Sequence, residues 1–376
     1  MNIAVNTRLL LDNNMTGISW YIFETMQRFV EKHPEHTFYY IFDRPYDKKF
    51  ITAPNIIPVV IPFKCRFHPY FYTIWYDLLV PMVLKMKDID LFISGDGVLS
   101  LTTKIPTILV IHDLAFEHYP TFIPKKMSNY LRSKTSKYAH KAVKIATVSE
   151  YSKKDIAERY GIEEAKIGVV YNGTHQLFKP LTVDQKTEVK NKYAEGNDYF
   201  LFVGTIHPRK NLHNQLLGFE MFRKENPDAK HKFIAVGNTW IWDKALNDIY
   251  ESLEFKSDVN FIGHLPTFDL TQIVSAATAL MYASIFEGFG IPIIEAFQSE
   301  TPVITSNTSS MPEVAADAAI LVDPFNPLEI ANAMSAIYTN PALRAQLIEK
   351  GRTRKECFTW SRTSDLFDEI VTPILK

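Results

Sequence analysis

Short, continuous apolar runs rich in β-formers recur along the chain, and longer helical patterns fill most of the gaps between them. That alternation leaves few folds open. In the front half the runs are Ile3–Asn6, Thr37–Phe42, Ile57–Ile61, Leu91–Ser94, Thr107–His112 and Ala146–Val148. In the back half they are Tyr199–Val203, Lys232–Val236, Val259–Ile262, Ala279–Tyr282, Pro302–Thr305 and Ala319–Val322. Continuous runs, rather than strict alternation of polar and apolar residues, suit parallel strands covered on both faces. Amphipathic stretches such as Ile18–Lys32, Lys126–Lys144 and Leu212–Glu225 supply the covering helices. Strands alternating with helices predict an α/β fold built from right-handed crossovers.

The series restarts near Tyr199, after Leu177–Pro180 and a polar stretch through Asp198. With 376 residues, two doubly wound, Rossmann-like domains are expected, residues 1–180 and 181–360. In open α/β sheets ligands gather at the carboxyl ends of the strands, so a cleft between two such domains is the expected site.

Composition excludes several classes. A charged fraction of 22% with 13% aromatics is that of a folded protein, not a disordered one. Cys65 and Cys357, the two cysteines, cannot build a disulfide scaffold or a four-cysteine zinc site, which points to a reducing cytoplasm. No apolar run reaches membrane-spanning length, and Met1–Arg8 reads as a first strand rather than a signal peptide. The net charge of −1 argues against general nucleic-acid binding. That near-neutrality hides an asymmetry. Residues 1–180 hold 23 Lys and Arg against 17 Asp and Glu, whereas residues 181–376 hold 18 against 25.

The densest chemical signal is Ser284-Ile285-Phe286-Glu287-Gly288-Phe289-Gly290-Ile291-Pro292-Ile293-Ile294-Glu295. It follows a predicted strand, so its glycine turn sits at a strand's carboxyl end. Gly288 and Gly290 permit close backbone approach to a ligand, and Pro292 suits the first turn of a helix. The start of that helix presents N–H groups and the positive end of its dipole, a setting for an anion such as a diphosphate. Glu287 and Glu295 bracket the turn, and carboxylates accept bidentate hydrogen bonds from vicinal hydroxyls of a sugar or ribose. For Glu295 alone, a solvated helix glutamate is the competing reading. A dinucleotide-binding loop loses support because the third glycine is absent after Gly290.

A second signal, Gly204-Thr205-Ile206-His207-Pro208-Arg209-Lys210-Asn211, places two adjacent cations after a strand and before a helix. A planar guanidinium beside a point-charge ammonium suits two neighbouring phosphates.

These residues resemble a known family. Phe286-Glu287-Gly288-Phe289-Gly290 with Glu295 is similar to the E-x7-E signature of the family 4 retaining glycosyltransferases of GT-B fold, and Gly204 to Asn211 resembles their diphosphate-binding segment. The likeness continues through Ser306-Asn307-Thr308-Ser309-Ser310-Met311-Pro312-Glu313-Val314, Asp323-Pro324 and Phe358-Thr359-Trp360-Ser361-Arg362-Thr363. It is looser in the front half, through the Gly17 loop and Ile111-His112-Asp113-Leu114. Within the family, Val110–Leu114 and Pro208–Asn211 are closest to bacterial mannosyltransferases of polysaccharide assembly.

The resemblance implies a donor-binding back domain and an acceptor-binding front domain, with a last helix, residues 361–376, returning to the front domain. Arg209 and Lys210 then hold the donor diphosphate, Glu287 the sugar hydroxyls, Glu295 the ribose, and backbone N–H groups from Gly288 through Phe289 and Gly290 to Ile291 the sugar or diphosphate. His264 and Leu265 pass the nucleobase. Gly204 belongs to the diphosphate segment, and Gly17 lets the front domain approach the phosphates. His112 falls beside the reacting sugar, against the alternative of a core or capping histidine. The implied donor is GDP-mannose, the stereochemistry retaining, and neither metal nor cofactor is expected. A nucleotide-sugar epimerase, a phosphorylase or a non-catalytic nucleotide-sugar-binding module are the alternatives.

The basic front half has a further reading. Thr121 to Ser149 contains no Asp or Glu, and Lys125, Lys126, Arg132, Lys134, Lys137, Lys141 and Lys144 alternate with Tyr130, Tyr138 and His140. Phe63–Tyr72 adds basic and aromatic residues. Basic helices with aromatic anchors lie against anionic lipid, so the Lys125–Lys144 region is expected to meet the inner membrane face and a lipid-linked saccharide acceptor. A solvated helix face is the plainer alternative.

Overall fold

The computed structural model describes residues 1–11, 15–63, 69–239 and 241–375. The chain forms two compact units: Met1–Gly173 with Trp360–Lys376, and Thr174–Thr359. The first boundary therefore falls before the expected 180/181, and the return begins at Trp360. Leu181 already belongs to the second unit, its N–H donating to Ser275 Oγ at 3.0 Å.

The first unit holds a seven-stranded sheet of β1 (Asn2–Asn6), β2 (Thr37–Phe42), β3 (Ile56–Val60), β4 (Leu91–Ser94), β5 (Thr107–Val110), β6 (Lys144–Thr147) and β7 (Ile167–Val169). All neighbours are parallel, in the order β3-β2-β1-β4-β5-β6-β7. The second unit holds β8 (Tyr199–Val203), β9 (Lys232–Val236), β10 (Val259–Gly263), β11 (Ala279–Tyr282), β12 (Val303–Ser306) and β13 (Ile320–Val322). Its six strands are also all parallel, ordered β10-β9-β8-β11-β12-β13. Each sheet thus reverses its strand order once, at β1/β4 and at β8/β11. Central strands such as β8 and β9 are buried along their whole length, which is why they read as unbroken apolar runs.

Local chemistry sets the helices. Thr16 accepts the N–H of Ser19 and opens the helix Gly17–Lys32, whose Tyr21, Ile22, Met26, Phe29 and Val30 face the core. Gly17 is thus the first residue of that helix rather than a loop residue. The helix Trp360–Val371 closes the first unit: Phe367 is fully buried with its ring edge-on to Phe29 at 5.5 Å, and His33 Nε2 lies 2.8 Å from Asp368. At the crossover a side chain on Gly173 would lie 2.4 Å from the backbone nitrogen of Trp360.

Three sequence expectations change. A seventh front strand, β7, went unread because Ile-Gly-Val is too short to stand out. The strand expected to run through His112 ends at Val110, leaving His112 in the following loop. The basic helix spans Lys125–Lys141, and Lys144 instead begins β6. On it Tyr130 and Tyr138 are buried with hydroxyls 2.7 Å apart, so they are core residues and not lipid anchors. Lys141 donates to the carbonyls of Leu101 and Thr103 at 2.7 and 2.6 Å. Lys64 to His68 of the second basic–aromatic stretch, with Cys65, lie outside the described residues. No helix among the described residues is long and apolar enough to cross a membrane.

Because Phe367 fills the first unit from a segment distant in sequence, Phe367→Ala is expected to destabilise that unit by about 3–5 kcal/mol. Denaturant titration followed by hydrogen exchange should show protection lost in residues 1–173 and 360–376 and retained in 174–359.

Candidate active site

The reversal between β8 and β11 gathers the chemical groups of the second unit. Past β8, His207 Nδ1 accepts the N–H of Arg209 at 3.2 Å and caps a short turn, Pro208–Lys210. Asn211 then takes a left-handed conformation, φ 57°, and its amide donates to the carbonyls of Ala283 and Pro324 at 2.9 and 2.6 Å. Those bonds tie the β8 loop to the segments leaving β11 and β13. Gln215 steadies the same turn by donating to the Lys210 carbonyl at 2.8 Å.

Past β11 the chain meets those cations. Arg209 Nη1 donates to the Phe286 carbonyl at 2.8 Å and to Glu287 Oε2 at 2.5 Å. Lys210 Nζ lies 2.7 Å from Glu287 Oε1, donates to the Tyr282 hydroxyl at 2.7 Å and stands 4.6 Å over the Tyr282 ring. Glu287 is only 6% exposed. Burial pushes its carboxyl upward, yet the Arg209 and Lys210 charges prevail and hold it at about 2. The result is a fixed triad with one net positive charge.

Gly290, at φ 110°, turns the chain into the helix Ile291–Gln298, with Pro292 in its first turn and no side chain capping it. Phe289 faces the core, edge-on to Phe358 at 5.4 Å, leaving its backbone to the turn. Glu295 lies on this helix, and among the described residues no side chain hydrogen-bonds its carboxyl. Burial lifts that carboxyl to about 7, with the Lys210 charge pulling the other way. Two carboxylates of one motif thus diverge, one locked as an anion and one poised near neutrality.

The family-like segment Ser306–Ser310 proves to be a clamp, a role its sequence did not disclose. Ser306 Oγ donates to the Ser284 carbonyl at 2.5 Å, and Thr308 Oγ1 to that of Ile285 at 3.0 Å. Ser309 Oγ accepts the Glu287 N–H at 3.1 Å, and Ser310 Oγ donates to the carbonyls of Glu287 and Phe289, both at 2.9 Å. Hydroxyls every one or two residues before a helix were the available signal, since such groups serve backbone carbonyls and N–H groups.

The remaining expected residues are more dispersed. Gly204 follows β8, and its missing side chain admits the Lys210 stem, 3.3 Å from where a Cβ would stand. His264 and Leu265 follow β10, with β9 between them and the β8 loop. Gly17 and His112 belong to the first unit, where His112 Nε2 meets the Gly95 carbonyl at 2.9 Å. One group of three potential metal ligands, His33, Glu35 and His36, occurs among the described residues, in a turn of the first unit where Glu35 already pairs with both imidazoles.

The family model "Glycosyl transferases group 1" matches residues 183–354, and the model "Glycosyltransferase Family 4" matches residues 15–175. The chain is 31% identical over 278 residues to the O-antigen chain mannosyltransferase RfbU of Salmonella typhimurium, covering 73% of this chain and 72% of the relative. It is 26% identical over 254 residues to the O-antigen chain mannosyltransferase B of Escherichia coli, covering 67% and 66%, the latter just under two thirds of that relative. Among solved structures, Anabaena HepE in complex with UDP-glucose superposes with a TM-score of 0.76 at 17% identity, over 99% of this chain and all of that one. WaaG, a glycosyltransferase involved in lipopolysaccharide biosynthesis, superposes with a TM-score of 0.74 at 16% identity, over 98% and 99%. The fold they share is GT-B.

The ionisation of Glu295 has a measurable consequence. Below its ordinary value of 4.5 the carboxyl is protonated in folded and unfolded chains alike. Between there and about 7 only the unfolded chain ionises, so folding is increasingly opposed as pH rises. Glu295→Gln should therefore stabilise the ligand-free protein by about 1–3 kcal/mol at pH 8 and leave it unchanged at pH 4. Urea titrations at the two pH values provide the check.

Proposed function

The chain belongs to the family 4 glycosyltransferases, and on that premise we propose that it transfers a hexose from a nucleotide-sugar to a saccharide or lipid-linked saccharide in cell-surface polysaccharide synthesis. Mannose from GDP-mannose is the proposed donor, supported by the O-antigen mannosyltransferase names of the relatives at 31% and 26% identity. The observation that carries the reading is the Arg209–Glu287–Lys210 triad at the strand-order reversal of the second unit. Breaking the bond between the anomeric carbon and the phosphate oxygen leaves negative charge on the diphosphate and positive charge on the sugar. Arg209 and Lys210, oriented in advance by Glu287, stabilise the departing diphosphate without reorganising. The acceptor oxygen bonds the anomeric carbon on the face the diphosphate leaves, which retains configuration, and its proton passes to the departing phosphate oxygen. Glu295 receives the ribose hydroxyls, Glu287 the sugar hydroxyls, and His264 with Leu265 the base. Gly17, Gly204 and the Gly288–Ile291 backbone line the donor, His112 faces the sugar, and no metal takes part.

Screening UDP-, GDP- and ADP-sugars by thermal shift should give the largest stabilisation with GDP-mannose, because a ligand that binds only the folded state raises stability by mass action. Nucleoside diphosphate should then be released only when acceptor is added, at a rate unchanged by EDTA. Release without acceptor would favour an epimerase, and binding without release a non-catalytic module. Loss of turnover in EDTA would remove the metal-free mechanism.

We also place the enzyme in the cytoplasm, at the inner membrane face. Lys125, Lys126 and Lys137 are exposed on the helix Lys125–Lys141, and Tyr70, Phe71, Leu78, Met82 and Met86 are exposed large apolar residues of the same unit. Each Lys near an anionic surface contributes about 1 kcal/mol. Reversing Lys126 and Lys137 to Glu should abolish flotation with phosphatidylglycerol vesicles and leave the fold intact. Lys141 is unsuited to that test, since its ammonium serves two backbone carbonyls.

A further inference from the structure

The first unit carries its own charged pair at its own strand-order reversal. Arg8 follows β1 and Asp96 follows β4, the two strands between which the order turns. Arg8 Nε lies 2.6 Å from Asp96 Oδ2, with side chains 7% and 1% exposed. Tyr76 completes the cluster. Its hydroxyl is 2.8 and 2.6 Å from the two Asp96 oxygens and accepts from Arg8 Nε at 3.0 Å and from Asn6 Nδ2 at 2.8 Å. Arg8 Nη2 donates to the Tyr72 hydroxyl at 3.2 Å, and the guanidinium stands 4.9 Å over the Tyr72 ring. Tyr76 sits in a π-helical turn, Trp75–Leu79, a rare geometry that is frequent at functional sites.

A buried ion pair seldom stabilises a fold more than well-packed apolar residues do, so stability alone is a weak reason for this cluster. Its covalent neighbour supplies a better one. Asp96 is bonded to Gly95, and the turn is closed on its other side by Ser94 Oγ donating to the Val98 carbonyl at 2.6 Å. The Gly95 carbonyl faces His112 Nε2 at 2.9 Å. A ring nitrogen facing a carbonyl must carry the proton, which assigns His112 its Nε2–H tautomer and leaves a lone pair on Nδ1. Tyr21 holds the ring edge-on at 5.1 Å. A side chain at Gly95 would lie 2.6 Å from Ile22, so the first helix packs closely against this residue.

We infer that Asp96, gripped by Arg8 and Tyr76, is the positioning residue for His112: it pins the Gly95 carbonyl and so decides which ring nitrogen is left to accept a hydrogen bond from a sugar hydroxyl. The inference rests on the reading of His112 as a residue that faces the donor sugar. Asn at position 96 would leave the Arg8 charge buried without its counter-ion, and the turn would relax around it.

The test uses the full-length enzyme labelled with 15N-histidine, the His112 resonances being assigned by their loss in His112→Asn. Wild-type His112 should show the Nε2–H tautomer alone. In Asp96→Asn the tautomers should mix and kcat should fall roughly tenfold or more, the scale on which outer-shell partners of metal-bound histidines act. The Kd for nucleoside diphosphate should stay unchanged. Tyr76→Phe, which keeps the ring and removes the hydroxyl from Asp96, should give the same changes at smaller size and decides the matter should Asp96→Asn fail to fold. An unaltered tautomer with unaltered kcat in the folded variants overturns the inference. Full activity in His112→Asn would instead overturn the reading of His112 itself, while the tautomer measurement would still judge the positioning role of Asp96.

Discussion

The second unit is organised around one electrostatic constraint: a glutamate almost wholly removed from water, held ionised by two cations from a different loop. Glu287 can remain a carboxylate at 6% exposure only because Arg209 and Lys210 approach both of its oxygens. That approach in turn requires β8 and β11 to be neighbours. The surrounding hydrogen bonds serve the same end. Asn211 and Gln215 hold the cation-bearing turn, and four consecutive or nearly consecutive hydroxyls hold the carboxylate-bearing one. Preorganised charge is worth most where water is excluded and nothing must move when the substrate's charge develops.

The two units repeat this design with different outcomes. Each sheet reverses its order beside its first strand, and each places a cation after that strand and a carboxylate after the strand on its other side. Crossover connections leave adjacent strands toward opposite faces at such a point, so the loops diverge and leave room for polar groups between them. In the second unit the pair is itself the candidate diphosphate site. In the first it is enclosed by Tyr72 and Tyr76, and beside it the Gly95 carbonyl meets His112.

Much of the candidate site was legible because its signals are local. Glu287, Gly290, Pro292 and Glu295 lie on one strand–turn–helix, where spacing along the chain nearly equals spacing in the fold. Membership of the glycosyltransferase family was legible for the same reason. What escaped were relations across the chain. Arg209 and Glu287 are 78 positions apart, so two independent donor contacts on paper became one ion triad. The basic helix lost Tyr130 and Tyr138 to the core and Lys141 to two carbonyls, since charge along a sequence does not say which side of a helix is covered. Strand β7 was missed because three residues containing a glycine carry too little periodicity.

The amino-acid sequence by itself determined the alternating α/β architecture, the chemical inventory of the site and the family. Each depends on residue type and short-range order, which hydrophobic periodicity and turn chemistry express directly. Only the tertiary structure decided the charge states. Glu287 and Glu295 are the same residue type in one motif, yet one carboxyl is held near 2 and the other near 7. Both are withdrawn from water, so the difference lies in the distance to two cations brought from another loop, and that distance exists only once the sheet has formed.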